Sequence, residues 1–259
     1  VLFRSNPNLC IKNDASYHDM YYMNPPAKDL SKIASSDKVK KVQKDFEATH
    51  VRPQRLMKTL FTDEAYVKAN VDEARLMRRL FDLACNMQSH DTDMQLYSLF
   101  TDEECYDLWS CNNLYWYLTH ACSPVTDGLM PYREADLLRN ILDRADAALK
   151  EGKNQATLRF GHESCLLPLV ALLELNHYGE SYPDVEKLSE QWRAYDIFPM
   201  ASNVQFVFFH KKGSNDVLVK VLLNEKEAKL PVKTDVAPYY HWKDVESYYR
   251  EKLDKYQHI

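Results

Sequence analysis

Apolar residues recur at helical spacing through much of the first half of the chain. Leu76, Met77, Leu80, Phe81, Ala84 and Met87 share one face, with Arg75, Arg78 and Arg79 on the others. Thr101-Asp102-Glu103-Glu104 has the hydroxyl-to-carboxylate spacing of a capping box. It predicts a helix carrying Leu108, Cys111, Leu114, Tyr115 and Leu118, which Ser123-Pro124 stops. A further amphipathic helix is predicted over 132–149, with Leu137, Leu138, Ile141, Leu142, Ala145 and Leu149 inward. The lysine-rich stretch 38–47 has only Val39, Val42 and Phe46 as an apolar stripe, which predicts a solvent-facing helix. No strand is predicted within 38–150. Residues 1–36 show no sustained period, and Tyr17, Tyr21, Tyr22, Pro25 and Pro26 suggest an irregular segment lying on a surface.

Past Gly152 the pattern changes. Ala156–Phe160 predicts a short strand ending at Gly161, and Ser164–Leu175 a helix. Val204–Phe209 is rich in β-branched and aromatic residues and predicts a buried strand. Lys211–Asn215 has turn composition, and Val217–Leu223 predicts the partner strand of a hairpin. Trp242, Val245, Tyr248, Tyr249 and Leu253 predict a closing helix.

Composition narrows the function classes. The chain has 259 residues, 33 Lys and Arg against 38 Asp and Glu, a net charge of −5, and 45% apolar residues. This is the balance of a globular protein, without a basic field for nucleic acid or anionic membrane. The longest apolar run, Cys165–Leu173, contains Pro168 and is too short to span a bilayer. Only 5 residues are glycine, about 2% where about 7% is usual, and no two are close together. That excludes dinucleotide and nucleotide-phosphate glycine loops and the G-x-S-x-G nucleophile elbow. The cysteines, Cys10, Cys85, Cys105, Cys111, Cys122 and Cys165, form no C-x-x-C pair, so a zinc ribbon or dithiol redox site is not expected. Most read as small buried hydrophobes, while Cys105, Cys111 and Cys122 could include a disulfide in an exported protein. Val1–Ser5 has neither an initiator Met nor a leader-like apolar stretch, so the expectation is a processed chain or a piece of a longer one.

The stretch that carries chemistry is Arg159-Phe160-Gly161-His162-Glu163-Ser164 and the apolar run after it. It predicts a strand, a sharp turn and a helix. Backbone N–H groups and the positive helix end collect at such a junction and favour an anion. His162 could donate to a phosphoryl oxygen, and a carboxylic acid at Glu163 could protonate a leaving oxygen. The purely local alternative makes Glu163 a helix-dipole partner and Ser164 the N-cap. Lys38, Lys40, Lys41, Lys44, Arg52 and Arg55 could attract a polyanion, although a solvated face accounts for them better. His90-Asp91 lacks the glycine before it and the apolar run after it, and is set aside.

Gly161-His162-Glu163 with Leu166-Leu167-Pro168-Leu169 resembles the second motif of the histidine acid phosphatases, the branch that includes phytases and multiple inositol polyphosphate phosphatases. Pro199-Met200-Ala201-Ser202-Asn203, followed by an apolar strand, and Leu222-Leu223-Asn224-Glu225 also resemble that family, in matching order and spacing. The likeness is specific over 156–232, loose over the helical region and weak over 1–100.

The resemblance implies an α/β fold: part of a phosphoglycerate-mutase-like three-layer α/β/α core with an inserted all-α domain. Residues 1–37 would lead into the core, 38–150 form the insertion, and 151–259 supply the C-terminal part of the core. It implies phosphomonoester hydrolysis through a phosphohistidine, with no metal or other cofactor, on phytate or related inositol phosphates or, alternatively, sugar or glycerate phosphates. His162 would contact the phosphoryl group and Ser164 the substrate, with Glu163 as proton donor. The sequence departs from the family in two places. The inositol polyphosphate branch reads His-Ala-Glu and phytases His-Asp, whereas this chain reads His-Glu-Ser. The family's R-H-G-x-R-x-P motif, which supplies the nucleophile, is absent. The chain is therefore expected to be part of an enzyme and inactive alone; the alternative is a non-catalytic binder of phosphate esters. The resemblance also implies export to a periplasm, the secretory pathway or the exterior.

Overall fold

The computed structural model describes residues 23, 27–152 and 156–256. Most of the segment expected to be irregular lies outside these residues, but its end is ordered as helix α1, Lys28–Ala34. Helices α2 (Asp37–His50), α3 (Gln54–Leu60), α4 (Glu64–Asn70) and α5 (Glu73–Asn86) follow. Then come α6 (Asp102–His120), a 3-10 turn over Met130–Glu134, and α7 (Ala135–Glu151). Four of these starts are chemically specified. Ser36, Asp63 and Asp72 each accept an N–H of the first turn, and Thr101 and Glu104 form both halves of the expected capping box. The lysine-rich α2 has a solvated face, yet its stripe goes deep: Val39 is fully buried and Phe46 nearly so.

The expected strand at 156–160 is absent. That segment has no ladder partner among the described residues, and Leu158 and Phe160 stand 54% and 87% exposed. Gly161 is not in the left-handed region and no sharp turn forms; the backbone stays extended through His162 (φ −112°, ψ 167°) and enters α8, Glu163–Leu172. The short helices α9 (Leu188–Gln191) and α10 (Ala194–Ile197) lead to the hairpin. Strand β1, Val204–His210, pairs antiparallel with β2, Val217–Leu223, in the register Val204↔Leu223 to His210↔Val217. Strand β1 is half-buried, with Phe209 and His210 exposed, rather than buried as expected. Strands β3 (Lys226–Glu227) and β4 (Tyr240–His241) both pair with β2, so β1 has an outer edge with no strand on it among the described residues. Helix α11, Trp242–Tyr256, closes the described chain.

The main core joins the hairpin to helices before and after residue 150. Val39, Leu118, Leu138, Leu167, Trp192, Val221 and Tyr249 belong to one buried cluster. A second cluster, including Leu56, Met77 and Phe100, sits among α3 to α6. Asn113, 2% exposed, bridges the main core by donating to Trp192 C=O (3.1 Å) and accepting from Ala194 N–H (2.8 Å). Satisfying both groups of a buried amide fixes α10 on α6. The described cysteines Cys85, Cys105, Cys111, Cys122 and Cys165 are free thiols; Cys10 lies outside the described residues.

Candidate active site

Helix α8 is apolar on nearly all sides, and the fold treats it accordingly. Cys165 and the run Leu167–Leu172 are buried. Its C-terminal end is held by α11: Tyr249 Oη donates to Leu173 C=O (2.8 Å) and Lys252 Nζ to Leu172 C=O (2.7 Å). These bonds satisfy carbonyls that a helix end leaves unpaired. Helix α11 is itself fixed to α7 by Trp242 Nε1 on Asp146 (2.9 Å) and by Arg250 on Asp143 and Asp146.

The other end of α8 is open. His162 occupies the N-cap position without a side-chain cap bond, so Ser164 is not the cap. His162 and Glu163 are both exposed, and Ser164 is half-buried in the first turn. The structure thus brings together His162, Glu163 and Ser164 at a buried helix whose N-terminus faces solvent. Uncapped N–H groups and the helix dipole there favour an anion. Cys165 Sγ donates to Met23 C=O (3.0 Å) behind this turn. Arg159 donates to Asn140 Oδ1 (2.7 Å), tying the extended approach to α7.

The other motif residues meet elsewhere. Asn203 N–H donates to Asn224 Oδ1 (3.1 Å), and Asn224 N–H donates to Asn203 C=O (2.9 Å). Gln205 Nε2 reaches Glu225 Oε1 at 3.1 Å. Asn203 and Asn224-Glu225 thus lock the base of the hairpin. Four of the six basic residues are engaged: Lys40 with Asp37, Lys41 with Asp45, Arg52 with Glu103 and Asp107, and Arg55 with Glu104. A cavity of about 560 Å³ lies at the opposite end of α8, lined by Tyr132, Leu172, Glu174 and Lys252 among others, away from His162.

Sequence reading missed a group of polar residues beside the first turns of α8. Glu134 is 1% exposed and its Oε2 has no hydrogen-bond partner. Burial pushes its carboxyl up to about 8, Arg133 opposing and Asp136 assisting. His120, also buried, is pushed down to about 4 by burial and then by Arg133. In the sequence, Arg133-Glu134 looks like charge at a helix start, so nothing marked it as internal.

Comparison with known proteins places this arrangement in a family. A model of the histidine phosphatase superfamily (branch 2) matches residues 10–224. The chain belongs to that superfamily. Among curated proteins it is 28% identical over 134 residues to multiple inositol polyphosphate phosphatase 1 of Homo sapiens, covering 47% of this chain and 27% of that protein. Its fold resembles crystal structures of the Bifidobacterium longum multiple inositol polyphosphate phosphatase. For the complex with phosphate the TM-score is 0.60 at 19% identity, over 96% of this chain and 58% of that one. For the complex with inositol hexasulfate it is 0.55 at 19% identity, over 94% and 56%. The chain therefore spans little more than half of these solved relatives and about a quarter of the human protein. An α/β fold with a helical insertion agrees with these neighbours. Among the described residues, no helix is long and apolar enough to cross a membrane.

Proposed function

We propose that this chain forms part of a phosphomonoester hydrolase acting on inositol polyphosphates, with residues 38–150 as the insertion on its α/β core. The observation that carries this reading is the open N-terminus of α8, with His162 and Glu163 exposed on it and Cys165 and Leu167–Leu172 buried behind it. His162 donates a hydrogen bond to the transferring phosphoryl group, and the first turn, with Ser164, adds N–H groups to its oxygens. A nucleophilic imidazole, from a motif this sequence does not contain, attacks phosphorus. The P–O ester bond breaks, and the leaving oxygen takes the proton of Glu163. The Glu163 carboxylate then accepts a proton from water as that water attacks the phosphohistidine, releasing phosphate and restoring both groups. The relatives' names support the substrate class, and their usual setting supports an exported or lumenal location.

The test is phosphate release from phytate and simple monoesters by a protein in which the family's nucleophile motif accompanies this chain. Glu163→Ala there lowers turnover by roughly 10²–10⁴, most with poor leaving groups, as expected for loss of a general acid. Equal turnover across leaving groups sinks the assignment. The missing nucleophile favours one other reading, a binder of phosphate esters, and robust binding without release by the motif-bearing protein selects it. By itself the chain is expected to release little phosphate.

A further inference from the structure

The loop 231–238 joins β3 to β4 and is thinly anchored. Leu230, just before it, is buried and donates its N–H to Tyr240 Oη (3.1 Å). Within the loop, Thr234 Oγ1 accepts from Val236 N–H (3.2 Å) and donates to Tyr239 C=O (2.7 Å). Val232 packs against the main core, while Lys233, Asp235 and Ala237 are exposed. Among the described residues, the loop's one polar tie beyond Tyr239 is Asp235, 2.9 Å from His241 Nε2. His241 sits in β4, opposite Leu218 of β2. Its other ring nitrogen, Nδ1, meets both carboxylate oxygens of Asp216, at 3.0 and 3.1 Å, where the chain enters β2.

This arrangement dictates a charge. A carboxylate only accepts hydrogen bonds, and a neutral imidazole has a single N–H. The Asp216 and Asp235 side chains are 53% and 82% exposed, so both are ionised near neutral pH. Both contacts are hydrogen bonds only while His241 carries two ring protons. We propose that His241 is a pH-operated latch on the 231–238 loop, closed while its imidazolium donates to Asp216 and Asp235 together and open once one ring proton leaves. The remaining N–H stays with Asp216, which offers it two oxygens. Asp235 then faces a nitrogen lone pair and lets the loop go. The two carboxylates, Asp216 first, raise the ring's hold on its proton above the ordinary histidine value of 6.5. The latch is therefore closed below 6.5 and opens as pH rises through a value above it. The other charges nearby are engaged or point to solvent. Lys220 on β2 pairs with Glu227 (3.1 Å) and lies over the Tyr239 ring. His210 on β1 bonds Ser214 C=O through Nε2 (2.7 Å), and Lys243 and Asp244 on α11 are exposed. The latch does not depend on the hydrolase reading.

The test is hydrogen exchange of the whole chain, read by mass spectrometry on peptides covering 232–237 and corrected to unstructured-peptide rates at each pH. It compares about pH 5.5, where both aspartates stay ionised, with about pH 9, below the lysine range. Glu134 titrates between these values and acts on the whole molecule, so exchange in the β1–β2 ladder is the reference. Relative to that ladder, the loop should be protected about threefold or more better at the lower pH, as for an exposed ion pair. Asp235→Asn and His241→Gln should exchange at the alkaline wild-type level at both pH values. Asp235→Asn, a change at an exposed side chain, carries the test if His241→Gln disturbs β4. Equal relative protection of the wild-type loop at the two pH values overturns the latch, as does a pH step that survives in Asp235→Asn. Ring C–H shifts, with His241 assigned by its loss in His241→Gln, should titrate above 6.5, and a midpoint at or below 6.5 overturns the doubly protonated bridge.

Discussion

At the scale of single residues, the molecule keeps two titratable groups neutral in its interior, and their effects on stability have opposite signs. The folded pKa of Glu134 is raised to about 8 from an ordinary 4.5. Folded chains therefore bind this proton more tightly than unfolded ones. The associated stability is full below the ordinary value and is lost as pH rises through about 8. The folded pKa of His120 is lowered to about 4 from 6.5, so its contribution is full above 6.5 and is lost as pH falls through about 4. Above 6.5, of these two only Glu134 still titrates. Urea midpoints of the wild-type chain should fall between about pH 6.5 and 8, and Glu134→Gln should remove that part of the fall. Equal slopes in the two proteins refute the buried-proton reading. Sequence reading found His162 and Glu163 because a glycine, a His-Glu pair and an apolar helix are local signals. It could not find Glu134, because its burial is made by α7 and α8 together.

At the scale of elements, the hairpin shows why two separated motifs belong together. Asn224 and Glu225 both have positive φ, 52° and 66°, as a two-residue turn between β2 and β3 requires. The Asn224 side chain donates to Asp196 and Ile197 C=O and accepts from Asn203 N–H, at 3.1–3.2 Å. One asparagine thus fixes the turn, the end of α10 and the approach to β1. Asn224→Ala removes these bonds, leaves Asn203 N–H unpaired and takes away the polar side chain that makes asparagine more tolerant than alanine of positive φ. It should cost on the order of 2–3 kcal/mol, read from denaturant unfolding. A loss below about 0.5 kcal/mol, the scatter of ordinary surface changes, refutes this role. The helices, the capping box and the hairpin were legible because period and turn chemistry are local. The strand expected at 156–160 was not, because alternation specifies a strand only where a partner supplies the ladder. Arg159 is instead bound to Asn140 on α7.

At the scale of the whole molecule, exposed apolar side chains and an unpaired strand edge both remain among the described residues. Leu158, Phe160 and Met200 are 54%, 87% and 96% exposed, and β1 has an edge without a strand among the described residues. Exposed apolar side chains beside unpaired backbone favour association between copies. The chain should self-associate with rising concentration, and Leu158→Ser with Phe160→Ser should reduce this in sedimentation velocity. A strictly monomeric wild-type chain refutes the expectation. Pro168 bears on how the site itself behaves. It lies inside α8 and cannot donate to Ser164 C=O, so the ladder is interrupted one turn behind His162 and Glu163. Behind the break, Lys252 and Tyr249 clamp the carbonyls of Leu172 and Leu173. The helix is therefore a stiff post with a compliant tip: its first turn is freer to tilt than the turns behind it, which the core holds still.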